Sequence, residues 1–410
     1  MFKEKNQFIK KVIIGLLVIL FLFQVVFVKR TSDGVFADQL VTQSLYDEWY
    51  FQQSTWAITD FPSNGKIFNG ADYAWGWSYV GNSLIDMYKA TRDEKYLEFF
   101  ATQAEYIFTQ TDEELGIESF TNSGLSLPAW SDRAYYTSGK FNYIYPVLTG
   151  MITTPILRFV DVVKENNISQ YNKIADKFLI KSGEALSIHN NDKMWKDISE
   201  TEGFYIGHPY GEGVVPEANK MGVPNRVFAY LAACGLYDKL TGRSIYTQRI
   251  EKSLKYFKNS LVKYDKNHDS YYWSYWDDGT VQYPWEDISH AALTVYGIFL
   301  LHEEAGFTLF NDQDLIRFKN IVYKMVKGDS PTKVRKYIHT INGEQKSYYD
   351  IEENSYYTAV LRWSFLGIYD KKVLESLDGV YKELYHQESP SVTGLFSVAM
   401  YLNTKKQLEE

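Results

Sequence analysis

"NRVFAYLAACGLYDKLTGRSIYTQRIEKSLKYFKNSL", residues 225–261, holds two helices of different character on either side of one short join. From Asn225 to Leu240 apolar residues fall on nearly every side, so this helix has no wet face and must be surrounded by other helices. From Arg243 onward the pattern changes. Tyr246, Ile250 and Leu254 recur at intervals of four with charged residues opposite, which makes one buried stripe and one solvated face. The join "KLTGRSIY" is short enough to force an antiparallel return. The unit is a buried rod, a tight turn and an amphipathic rod.

The unit recurs. Amphipathic segments occur at 93–108, 169–186, 243–261, 312–326 and 371–385, with a sixth at 38–53. Tyr96, Tyr171 and Tyr246 are spaced 75 residues apart twice over, each followed at +4 by Phe100, Ala175 and Ile250 and at +8 by Ala104, Leu179 and Leu254. All-apolar segments occur at 73–88, 143–163, 225–240, 288–302, 355–369 and 392–402. Six of each in alternation predict an inner ring of helices within an outer ring, the inner helices all running one way. The long loops 109–141, 187–224, 262–286 and 327–353 each lead from an outer helix into an inner one, and long loops in compact domains are usually functional. Two carry hairpin signals, 271–283 and 336–349, the second with Asn-Gly at its turn.

This alternation, with its "LTGRSIY"-type outer-helix starts, resembles the (α/α)6 toroid of the six-hairpin glycosidase-like superfamily over residues 38–410. The resemblance implies an all-α fold acting on carbohydrate, since that superfamily includes glycoside hydrolases, polysaccharide lyases and a uronyl epimerase. No single family's full catalytic signature is present, so no family's residues are carried over.

Composition narrows the field further. The chain has 410 residues and a net charge of −8, without the basic footprint of a nucleic-acid binder. Cys234 is the one cysteine, which excludes an internal disulfide and a cysteine zinc site. Aromatic residues reach 17%; most belong in a bulky core, but Tyr and Trp also suit a wall that holds a sugar ring. "DKNHDS", 265–270, lacks the glycine of a Ca²⁺ loop and reads as a turn, and no cofactor motif or metal cluster stands out. Asp277-Asp278 is a poor substitute for the acid motif of an isoprenoid cyclase. At the N-terminus, Val12–Val28 is apolar between Lys10-Lys11 and Lys29-Arg30, just long enough to span a bilayer. The domain reading is a cytoplasmic tail (1–11), a signal-anchor (12–28), a linker (29–37) and an extracytoplasmic toroid (38–410). The alternative is secretion after cleavage near Ala37.

If the inner helices are parallel, their amino ends share one basin. Arriving there are Asp72, Tyr73 and Trp75; Asn142 and Tyr143; Asn225 and Arg226; Glu286, Asp287 and His290; and Glu353, Asn354 and Tyr356. The loops add His208, Glu212 and Glu217, together with Trp273, Tyr275 and Trp276. Each acid has a bland explanation, because N-caps and first-turn carboxylates need no chemistry. His290 shares a helical face with Glu286 and Asp287, two carboxylates able to orient it.

Hydrolysis of a glycosidic bond needs two carboxyl groups. The candidates are Glu286 as proton donor, with Asp287, Glu212 or Glu217 as its partner and Asp72 across the ring. The alternative is β-elimination or C5 epimerisation of a uronic acid, with His290 or a tyrosine as base and Asn225 and Arg226 stabilising the developing charge. A third possibility is a glycan-binding scaffold without turnover. The partner expected in every case is a polysaccharide or oligosaccharide, acidic in the second.

Overall fold

Every segment read as helical from its apolar spacing is a helix in the computed structural model, which describes residues 41–53, 55–57, 68–119, 125–133, 141–207, 220–275, 285–327, 330–339, 348–350, 357–385 and 391–410. The expected anchor at 12–28 and the cleavage site near Ala37 lie outside the described residues. The amphipathic helices are α1 (Gln43–Gln52), α3 (Lys95–Phe108), α5 (Asn172–Ser187), α7 (Thr247–Tyr256, continuing as Phe257–Leu261), α9 (Asp312–Met325) and α11 (Lys372–Tyr385). The apolar ones are α2 (Gly70–Asp72, Tyr73–Trp77 and Ser78–Thr91 in succession), α4 (Pro146–Glu165), α6 (Pro224–Thr241), α8 (Ile288–Phe299, continuing as Leu300–Glu304), α10 (Tyr357–Leu361, followed by Ser364–Tyr369) and α12 (Val392–Glu409).

The apolar helices form the inner ring. α2 packs on α4, α4 on α6, α6 on α8, α8 on α10, α10 on α12, and α12 returns to α2 to close it. Each amphipathic helix lies against an inner one, burying its stripe: Tyr96, Phe100, Ala104, Ile250 and Leu254 are all within the core. The closest inner contacts depend on missing side chains. A Cβ at Gly150 of α4 would stand 2.5 Å from the Ala229 carbonyl oxygen of α6, and one at Gly297 of α8 would stand 2.6 Å from that of Phe228. α6 is therefore gripped on both sides by backbone-to-backbone contact.

The inner helices run parallel, because residues near their starts meet one another and so do residues near their ends. At the far ends, Arg158 of α4, 2% exposed, binds Asp86 of α2 at 2.7 Å and Glu304 of α8 at 3.0 Å. Its third partner is the Asn82 amide oxygen at 2.9 Å, while Lys89 reaches Glu304 at 2.7 Å and the Asn403 amide of α12 donates to Asp86 at 3.1 Å. Burial opposes ionisation of Glu304, but the charges of Arg158 and Lys89 outweigh it and hold the carboxyl at about 2. Four inner helices are thus tied at one end of the barrel.

Three small antiparallel sheets decorate the loops: β1 (Trp195–Asp197) with β2 (Gly203–Tyr205), β3 (Lys263–Asp265) with β4 (Ser270–Tyr272), and β5 (Val326–Lys327), β6 (Ser330–Arg335) and β7 (Tyr348–Asp350) in order. The hairpin expected at 271–283 has its turn and second strand outside the described residues. β4 pairs backward with β3 across the 266–269 turn, where Asp269 takes a positive φ of 44°. The aromatic run therefore begins as the second strand of a hairpin. The Asn-Gly hairpin is as expected at its base, with Arg335 opposite Tyr348. α4 alone among the described helices is long and apolar enough to cross a membrane, yet 94% of that stretch is buried inside the protein, as befits a core helix.

Removing Arg158 leaves buried Asp86 without an ion-pair partner and Glu304 with Lys89 alone, so Arg158→Met should destabilise the fold by about 3–5 kcal/mol in urea titration. A loss below about 1 kcal/mol would mean that water reaches this end of the barrel freely.

Candidate active site at the amino ends of the inner helices

The helix starts explain most of the acids at the mouth. Asn69 caps α2: its side chain accepts from the Asp72 N–H at 3.0 Å, and the Asp72 carboxylate accepts from the Asn69 N–H at 3.1 Å. Asp72 is thus half of a reciprocal cap. α4 and α6 begin with Pro146 and Pro224, whose missing N–H groups need no cap. Asp287 caps α8, its Oδ1 accepting from the N–H groups of Ser289 at 2.9 Å and His290 at 3.2 Å.

Asp287 does more than cap. Its other oxygen lies 2.5 Å from Nδ1 of His290, which orients the ring. Burial raises the carboxyl, but the His290 hydrogen bond and charge, with the two backbone N–H groups, overcome this and hold it below the usual carboxylate range. The His290 side chain is 42% exposed, so its outer edge is open to a ligand. Tyr275 presses its ring against His290 at 4.9 Å, and Arg226 donates to the Tyr275 hydroxyl at 3.3 Å. Asp287, His290, Tyr275 and Arg226 therefore form a chain of contacts from α8 to the start of α6.

Glu286 points the other way. It is fully buried, receives the Trp273 indole N–H, and accepts from the Thr294 hydroxyl at 3.3 and 3.4 Å. Burial above all, and then the neighbouring Asp287 charge, push its pKa well above the normal range; Thr294 and Asn225 oppose this only in part. In this conformation Glu286 does not face the basin as a proton donor. Two further expectations change: Trp273 is fully buried against Phe257 and Phe318 and forms no cleft wall. Tyr73 is likewise buried, against Trp56 and Phe68, because the first turn of α2 already lies within the ring. Trp75 is half-buried at the same end. Asn225 is buried beside Glu286, and Arg226 is half-buried.

His208, Glu212, Glu217, Trp276, Glu353, Asn354 and Tyr356 lie outside the described residues. The stems of two of those segments are defined. The Gly207 N–H donates to the Lys220 carbonyl at 3.0 Å, and Gly207 lines a small pocket with Tyr145, Tyr205, Met221 and Arg226. Tyr275 and Trp285 flank the other. Both stems are at the mouth.

One residue at this end was not singled out from sequence. Arg362, near the start of inner segment α10, donates to the Ser289 hydroxyl at 2.6 Å and to the Tyr79 hydroxyl at 3.2 Å. The signal was present, since a lone arginine in the waterless run "AVLRWSFL" must find a partner or a ligand. Among the described residues, His302, Glu303 and Asp312 offer possible metal-ligand atoms within 4.8 Å of one another, but at the opposite end of α8. His302 there spans the Phe307 carbonyl and the Asp312 carboxylate at 3.2 and 3.1 Å.

Glu286 keeps its proton to a higher pH when folded than when unfolded. The associated stability is complete below the unfolded value and is lost as pH rises toward the folded one. Glu286→Gln keeps an acceptor for Trp273 and Thr294 without the ionisation. Its melting temperature relative to the parent should therefore climb as pH rises above the ordinary carboxylate range. A flat difference would show that Glu286 ionises normally.

No protein-family model matches the chain, and no curated protein matches it either. Solved structures do. An alpha-1,6-mannanase, GH76A of Salegentibacter sp. HEL1_6, is 16% identical with a TM-score of 0.50, covering 92% of this chain and 99% of that one. Two inactive variants of it, each with two consecutive aspartates replaced, match at the same identity and TM-score, covering 89% of this chain. They are in complex with alpha-1,6-mannotetrose and alpha-1,6-mannotriose, and this chain covers 98% and 99% of them. At this identity the likeness is one of fold: the chain is an (α/α)6 toroid.

Proposed function

We propose that the protein is a carbohydrate-active enzyme that hydrolyses glycosidic bonds in a polysaccharide, held outside the cell by the apolar segment 12–28. The observation that carries this reading is Asp287 at the barrel mouth, which caps α8 with one oxygen, turns the other to His290 and is held below the usual carboxylate range, beside a histidine edge open to solvent. The mannanase variants are also inactive with two consecutive aspartates replaced, which supports a role for adjacent acids on this fold.

Asp287 is the carboxylate near the basin. It stays ionised, and His290 beside it presents an exposed edge to the substrate. Glu286 faces inward, so we assign the second working carboxyl to the loop whose stem closes at Gly207 and Lys220. Its candidates are Glu212 and Glu217. The spacing of that pair would decide retention or inversion.

A second reading has its own support. Arg226, Tyr275 and His290 touch in sequence, with Asn225 next to Arg226. That set suits proton abstraction beside a carboxylate, as in a polysaccharide lyase or a C5-epimerase. A scaffold without turnover has no use for a histidine so oriented.

Incubation of the full-length chain with neutral and uronate polysaccharides separates these. New reducing ends without ultraviolet absorbance are expected; unsaturated, absorbing ends would replace hydrolase with lyase, and solvent-proton exchange without cleavage with epimerase. Asp287→Asn is the informative variant, because asparagine caps a helix as well as aspartate does. It should lose about 10²–10⁴-fold in rate while its melting temperature is kept. Full activity in Asp287→Asn would reduce Asp287 to a cap.

A further inference from the structure

Two arginines lie in the inner ring near its axis, and only one of them is neutralised. Arg158 meets two carboxylates. Arg362 is 8% exposed and, among the described residues, meets none. Its Nη1 and Nη2 donate to the hydroxyls of Tyr79 and Ser289, and its Nε is buried without an acceptor. Hydroxyl dipoles do not replace a counter-charge: a guanidinium withdrawn from water needs an anion, or its burial is strongly unfavourable.

The place where that anion would sit is defined. Arg362 lines a narrow, mostly apolar cavity on the barrel axis, with Tyr79, Asn82, Thr154 and Tyr296 as the polar groups beside it. Among the described residues no carboxylate lines it. The free space is narrow, enough for a carboxylate and a water or two, but not for a sugar ring. Ser289, which accepts from Arg362, stands between Asp287 and His290 in the chain, so the guanidinium reaches the first turn of α8. An arginine fork offers parallel N–H donors that match the two oxygens of a carboxylate.

The geometry points to Arg362, with Ser289 and Tyr79, as the receptor for the carboxylate of a uronic acid residue, inserted into the axial cavity while its ring remains in the basin. The assignment rests on the carbohydrate-active reading only for the statement that the carboxylate is borne by a sugar. It makes the substrate an acidic polysaccharide and gives the barrel axis a task in specificity. Arg362 recognises charge; the residues around Asp287 act on the bond.

The test is calorimetric binding to the full-length chain. The ligands are trisaccharides of glucuronate, galacturonate and mannuronate, each beside its carboxyl-reduced counterpart, with acetate as a free carboxylate. At least one uronate should bind about tenfold or more tighter than its reduced form. Arg362→Gln should erase that preference, and Ser289→Ala should weaken it. If Arg362→Gln does not fold by near-ultraviolet circular dichroism, Arg362→Lys takes its place, with loss of the bidentate contact and most of the preference expected. Equal binding of acidic and reduced sugars, or a preference that survives in the Arg362 variants, overturns the assignment. So does acetate binding as tightly as the uronates, which would leave a plain anion site. The two proposals fail separately. Cleavage of neutral glycans without any uronate preference removes the subsite and keeps the hydrolase; Arg362-dependent uronate binding without cleavage does the reverse.

Discussion

Arg158 stands where α2, α4 and α8 converge, and its ion pairs fasten the carboxyl ends of the inner ring. A buried guanidinium with two carboxylates tolerates little displacement, because breaking either contact strands a charge in a poorly solvated place. Contacts without side chains at Gly150 and Gly297 grip the same helices nearer their starts. The barrel is therefore closed below by charge and held along its length by backbone contact. Its amino ends are left as the open side. Everything proposed for the site follows from that polarity.

At the open side, helix punctuation and chemistry share residues. Asp72 is consumed by its reciprocal cap with Asn69. Asp287 caps with one oxygen and turns the other to His290. A carboxylate has enough lone pairs for both tasks, so the capping explanation and the functional one do not compete at this position. They do at Glu286, which burial holds away from the basin and pushes up in pKa. Two neighbouring acids thus differ because one lies on the helix axis at the water's edge and the other beneath Trp273.

The axial arginine extends this logic to specificity. Arg158 and Arg362 both occupy helices without a wet face, and among the described residues carboxylates meet only the first. Evenly neutralised, the barrel would be inert along its axis. Leaving Arg362 with hydroxyl partners gives it a graded electrostatic floor, paired at the closed end and cationic toward the mouth. The amino ends of six parallel helices add partial positive charge in the same direction.

The apolar periodicity alone determined the number, order and character of the twelve helices, because a helix with no wet face and a helix with one differ in residue spacing that needs no coordinates to see. Alternation with short joins also determined that the inner helices are parallel, hence that Asn225, Glu286 and His290 come to one end. What only the tertiary structure decided is which way each side chain faces there. Glu286 and Asp287 are neighbours in sequence, and spacing treats them alike; burial under Trp273 and Thr294 separates them. The strand Ser270–Tyr272 could pair forward or backward, and the turn at Asp269 chose backward. Arg362 was visible as a lone charge in an apolar run, but its want of a carboxylate depends on five other helices. Pairing of a buried charge is a property of the space around it, and sequence order does not carry that information.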